Sequence, residues 1–160
     1  MKTINSLLAL SVILTLLVYV GCSNDPISPT PEKNQISGKI TFVDTNFVLS
    51  GGSYIVAAFA SWPPTGGPNA YDTLSISTSK TIYDYTLKGV STGDYVVAVG
   101  FRKLGSYQTP IMSVYGCDTA SLQSSNCAMD PPLRATIGSN GESSSGIDMI
   151  SWADTTNKIF

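Results

Sequence analysis

Ser77 and Lys80, in Ser77-Thr78-Ser79-Lys80, have the spacing of a serine nucleophile and its lysine base. That pair works only where a helical turn brings the lysine back beside the serine, and this segment lies between two stretches of strand character. A solvated turn is the expectation. The chain has no histidine, which removes every Ser-His-Asp and Cys-His arrangement and the commonest zinc ligand. Its only glutamates are Glu32 and Glu142, so a pair of catalytic carboxylates would have to come from Asp72, Asp84, Asp94, Asp118, Asp130 or Asp148, none of which sits in a motif. Asp44-Thr45-Asn46 offers oxygen ligands without the glycine or the distal acid of a calcium loop. No glycine loop of the phosphate-cradling kind is present. The expectation is a protein that is not an enzyme and has no cofactor and no metal.

Binding chemistry has more to stand on. Trp62 and Tyr71 bracket Pro63-Pro64-Thr65-Gly66-Gly67-Pro68-Asn69-Ala70, which places two aromatic rings at the ends of a proline- and glycine-rich loop. Exposed rings on a stiff loop can stack on sugars or anchor a protein partner, so Trp62 and Tyr71 form the candidate binding surface. The alternative for Trp62 is a cap over one end of the core, where a large apolar ring gains most from burial, and this is the favoured reading. Trp152, beside Met149 and Ile150, is expected in the core.

Three cysteines remain to be placed: Cys22, Cys117 and Cys127. Cys117 and Cys127 flank a polar stretch and have no further soft ligands near them, so a disulfide is expected rather than a metal pair.

Cys22 follows a different pattern. Residues 1–5 are polar with one cation, Lys2, and residues 6–20 carry no charge and are dense in Leu, Ile and Val. A bilayer-spanning helix needs roughly 20 apolar residues, so this shorter run followed by a small residue reads as an export signal. The segment ends Val18-Tyr19-Val20-Gly21-Cys22, which resembles the bacterial lipobox: Gly21 supplies the small residue before the cysteine, while Tyr19 stands where a Leu-like residue is usual. The resemblance implies cleavage before Cys22 and a lipid on it. A secreted protein with a chance cysteine and an uncleaved anchor helix are the alternatives. Beyond it, Pro26, Pro29 and Pro31 among polar residues make a stretch that cannot bury enough surface to fold and that prolines keep extended, ~3 Å per residue. Ser23 is not the aspartate that retains enteric lipoproteins at the inner membrane, so the rule favours the outer membrane.

From Ile36 onward, short alternating runs are separated by turn residues. Ile36, Gly38, Ile40 and Phe42 alternate with polar residues, as do Tyr83, Tyr85 and Leu87; Tyr95, Val97, Val99 and Phe101 form one face of a longer strand. Residues 54–60 are apolar on both faces, which suggests a central strand. Weaker candidates cover residues 73–77, 111–115, 134–137 and 147–152. No window keeps a helical period. About seven or eight strands at this spacing predict an all-β, antiparallel sandwich of immunoglobulin-like or transthyretin-like kind.

Residues 85–97, Tyr85-Thr86-Leu87-Lys88-Gly89-Val90-Ser91-Thr92-Gly93-Asp94-Tyr95-Val96-Val97, resemble the hairpin of the carboxypeptidase regulatory-like (transthyretin-like) sandwich family, and Ile36-Ser37-Gly38-Lys39-Ile40 resembles its first strand. That family consists mostly of non-catalytic accessory, adhesive or binding modules and shares no catalytic residues. The organisation expected is a lipoprotein signal peptide over 1–21, a lipid-anchored proline-rich tether over 22–35, and one sandwich over 36–160. Without Lys2, eight basic residues face eleven acidic ones, and no basic patch points to nucleic acid. The function expected is a lipid-anchored envelope module for a protein or glycan partner. An accessory subunit of an envelope enzyme or transporter, or a structural spacer, is the runner-up.

Overall fold

Alternation governs the first strand. Along β1 (Gln35–Val43), Ile36, Ile40 and Phe42 are buried while Lys39 is exposed. The same two-residue period runs through β4 (Ile82–Lys88), where Tyr83, Tyr85 and Leu87 point inward. In β2 (Gly52–Phe59) and β5 (Gly93–Lys103) both faces are apolar over much of their length, and both strands sit inside a sheet. The remaining strands are β3 (Ala70–Leu74), β6 (Ile111–Val114), β7 (Ala135–Ile137) and β8 (Met149–Trp152), and one short helix, α1 (Ser125–Met129), interrupts them. This computed structural model describes residues 32–106, 108–117, 119–120, 122, 124–131, 133–156 and 158. The expected signal peptide, Cys22 and the tether as far as residue 31 lie outside the described residues, as does Asp118.

The strands form two sheets, a small one in the order β4-β1-β8 and a large one in the order β3-β2-β5-β6, with β7 paired to the start of β5. The expected eight-strand, all-β sandwich is the fold. One ladder is parallel: β8 lies beside β1 with Ile40 opposite Met149, so the last strand closes the edge of the first. The expected strand at 73–77 begins earlier, at Ala70, because Asn69 pins the end of the hairpin. Its backbone N–H donates to the Ala58 carbonyl (2.8 Å) and its side-chain oxygen accepts from the Ala60 N–H (2.8 Å).

Between the sheets lies a core in which aromatic rings meet edge to face. Phe42 touches Tyr54 and Tyr83, with centroids 5.5 and 5.8 Å apart, and Tyr54 touches Phe101 at 5.0 Å. The buried hydroxyls have partners. Tyr54 donates to the Ala153 carbonyl and accepts from the Leu49 N–H. Tyr85 donates to the Ile147 carbonyl (2.7 Å), and burial, with the charge of Asp148 nearby, pushes its phenol far above the ordinary tyrosine range.

The hairpin between β4 and β5 closes as its sequence implies. Leu87 and Val90 are buried on either side of Gly89, whose φ of 68° is a conformation a β-carbon resists. The Tyr95 hydroxyl donates to the Ser91 carbonyl (3.0 Å), locking the turn.

Ser77 and Lys80 bridge a tight exposed turn between β3 and β4, with no helix to bring them together. Ser77 Oγ pairs with Ser79 Oγ (3.2 Å), and Lys80 Nζ lies over the Tyr83 ring, 4.7 Å from its centroid.

Candidate functional site

The outward face of the large sheet is apolar, and its pairing register shows why it forms a trough. Along β2 the outward residues are Ser53, Ile55, Ala57 and Phe59. Across from them on β3 stand Thr73, opposite Ile55, and Tyr71, opposite Ala57. On β5 stand Arg102, opposite Ser53, then Gly100, Ala98 and Val96. Beyond β5, Ile111 faces Gly100 across a bulge in β6. The floor is thus built from small residues, Ala57, Ala98 and Gly100, with larger side chains at its margins. Gly100 has to be glycine, because a β-carbon there would come within 2.9 Å of Thr109 Cγ2 and 3.0 Å of the Pro110 carbonyl oxygen.

Half of this face is sealed. The segment after β6 folds back over it and is stapled by a disulfide between Cys117 and Cys127, whose Cα atoms are 6.0 Å apart. Leu122 and both cysteines pack with Ala57, Phe59, Val96, Ala98, Ile111 and Val114 in a second apolar cluster, separate from the sandwich core. Ser124 caps α1 by accepting the Cys127 N–H. The polar 118–126 stretch therefore hides one buried leucine and one helical turn that its sequence pattern does not announce.

Trp62 belongs to this seal and not to a binding platform. Its ring meets Phe59 edge to face at 5.9 Å, and its indole N–H donates to the Ala128 carbonyl (2.9 Å). The capping position buries most of a large apolar surface and satisfies the one polar atom, which an exposed platform would not do. Trp152 corrects the expectation of a core tryptophan in a similar way: it is half-buried and rests against the same second cluster.

The other half of the face stays open as a groove of ≈ 690 Å³. Ile55, Phe59 and Ile111 lie along it, Pro63, Pro64 and Pro68 wall one side, and Tyr71 and Arg102 stand at its margins. Beside it a shallower depression of ≈ 480 Å³ shares Ile55, Tyr71 and Arg102 and adds Lys103. Tyr71 is 60% exposed. Of the two aromatics expected to bind together, the groove includes Tyr71 and leaves Trp62 outside.

Among family models, curated proteins and solved structures, none matches this chain. Residue roles rest on the geometry alone.

A third depression, between the edges of β3 and β4, is lined by Tyr71, Asp72, Asp84, Tyr85, Thr86 and Lys88. Two aspartates share it, the arrangement an acid–base pair would need. Acid catalysis also needs one carboxyl enclosed so that it stays protonated. Here Asp84 is exposed, Asp72 accepts from the Thr73 N–H (2.8 Å), and Lys88 is turned toward Glu32 at 3.5 Å. Among the described residues no group of three or more cysteines, aspartates or glutamates could hold a metal ion.

Proposed function

We propose that this chain is a lipid-anchored protein of the cell envelope, at the outer membrane, whose sandwich is a non-catalytic interaction module. The observation that carries the module reading is the half-sealed outer face of the large sheet. A disulfide, a helix turn and two tryptophans cover one part of an apolar sheet face, while the adjoining part is left open beside an exposed tyrosine. Apolar groups left open in this way, with a few polar groups at the rim, are the usual makings of a ligand groove. The resemblance of residues 85–97 to the carboxypeptidase regulatory-like family supports a binding role, and the lipobox-like end of the apolar run at Cys22 supports the anchor.

The anchor has a direct test. Cells fed a clickable fatty acid should label the wild-type protein and not Cys22→Ala; label surviving in the variant would remove the lipid from the proposal.

The module is tested in living cells with a photo-crosslinking amino acid at position 71, against a control in the exposed turn at position 79. An envelope component joined at 71 and not at 79 supports the reading, and an envelope enzyme or transporter as that component would make the chain its accessory subunit. Equal yields at both positions, or none, favour a structural spacer and overturn the module.

A further inference from the structure

The groove's rim has a charge that the chain as a whole does not. The protein is net negative, yet among the described residues the two depressions that share Ile55 and Tyr71 are lined by no carboxylate, and the ionic residues there are Arg102 and Lys103. Both cations are exposed, and among the described residues neither is paired: the ion pairs there join Lys88 to Glu32 and Arg134 to Asp130. A guanidinium without a partner beside an apolar floor is an open fork for a carboxylate.

The register sets the spacing. Tyr71 stands opposite Ala57 and Arg102 opposite Ser53, so the ring and the cation are four residues apart along β2, or ~13 Å at the usual strand rise. Between them lies the half-buried Ile55, paired with Gly100, over which Thr109 and Pro110 are folded. An occupant would be long and flat-faced, with apolar C–H surfaces to lie on Tyr71 and Ile55, hydroxyls for the polar margin at Ser106 and Gln108, and negative charge for Arg102.

We propose that this groove binds an acidic polysaccharide, a glycan with carboxylate-bearing sugar rings, with a ring face on Tyr71 and a carboxylate on Arg102. This rests on the interaction-module reading and narrows it to one ligand class. A membrane surface fits less well, since attraction to anionic lipid grows with each basic residue and only two are here. A protein partner would be expected to meet several exposed aromatic anchors, and among the described lining residues Tyr71 is the one exposed ring.

The test is calorimetric titration of the full-length protein in detergent with oligogalacturonate, beside its methyl ester, which keeps the rings and removes the charge. Oligogalacturonate should bind, and its methyl ester about ten-fold or more weakly. Arg102→Gln should weaken the acidic oligomer by a similar factor and leave its methyl ester unchanged. Tyr71→Ala should weaken both. Added salt should loosen only the acidic oligomer. Both side chains are exposed, so neither substitution threatens the fold. No binding of oligogalacturonate, or binding indifferent to Arg102→Gln, overturns the proposal. Should the crosslinker at position 71 join an envelope protein while oligogalacturonate fails to bind, the glycan is overturned and the interaction module stands.

Discussion

Phe42→Ala should lower the unfolding free energy by about 3–5 kcal/mol, the usual range for deleting a well-packed buried aromatic ring. Phe42 is 2% exposed and stands between the layers, touching Tyr83 of its own sheet and Tyr54 of the other. Tyr54 in turn leans on Phe101 and ties the Leu49 N–H to the Ala153 carbonyl. Removing the ring opens a cavity at the centre of that chain of contacts, where strands on all sides prevent collapse. Against a typical total of about 5–15 kcal/mol, the loss is roughly a fifth or more of the stability. Guanidinium unfolding followed by circular dichroism measures it. Ile82→Ala, at a half-exposed position on the neighbouring strand, is the control and should change little. A loss below about 1 kcal/mol for Phe42→Ala would mean that the two sheets do not close on this ring.

The second large effect belongs to the staple. Replacing Cys117 and Cys127 together by serine should remove about 3 kcal/mol, the chain-entropy estimate for a loop of this length. It should also loosen the covering of Val96, Ala98 and Val114. Both tryptophans of the chain, Trp62 and Trp152, rest on that cluster, so their emission reports on it directly. The expected signature is a lower unfolding midpoint with a red shift in tryptophan fluorescence that precedes loss of strand signal. Mass spectrometry without reductant should find Cys117 linked to Cys127 in the wild type. Free thiols at both positions, or an unchanged midpoint in the double variant, would show that the segment holds itself down unaided.

Strands were readable in the sequence where one face is wet and the other dry, because the period is then written in residue type. Ile36, Ile40 and Phe42 in β1, and Tyr83, Tyr85 and Leu87 in β4, are of this kind. β3 was displaced because its edge position leaves Tyr71 and Thr73 exposed, and its register is set by Asn69, a contact between loop and strand that no period encodes. α1 and Leu122 were hidden because the disulfide, and not local hydrophobicity, folds that polar loop onto the sheet. The parallel pairing of β8 depends on where the last strand lands, which is a property of the whole chain.

The groove was half legible. Tyr71 could be picked out as an aromatic at the end of a stiff loop, while Arg102 stands in no motif and reaches the groove's margin only through the pairing of β5 with β2. The signal available was the outward row Val96, Ala98, Gly100, Arg102: three small or apolar residues and then a cation is unusual for a solvated face. Trp62 was drawn away by a partner, the Ala128 carbonyl, that lies 66 residues further along the chain.

The turn that locks β4 to β5 has a directional consequence. Val90 donates its N–H to the carbonyl of Asn34 (2.9 Å), so this turn sits at the pole where the chain comes into β1. β5 departs from that pole at Gly93 and reaches Arg102 about 30 Å away at the usual strand rise. Under the proposed anchor and groove, the domain would therefore be held at one end and bind at the other. Arg102 lies at the opposite end of β5 from the entry of the chain into β1, so pull on a ligand of the proposed kind would pass along the hydrogen-bonded length of β5 rather than through a loop.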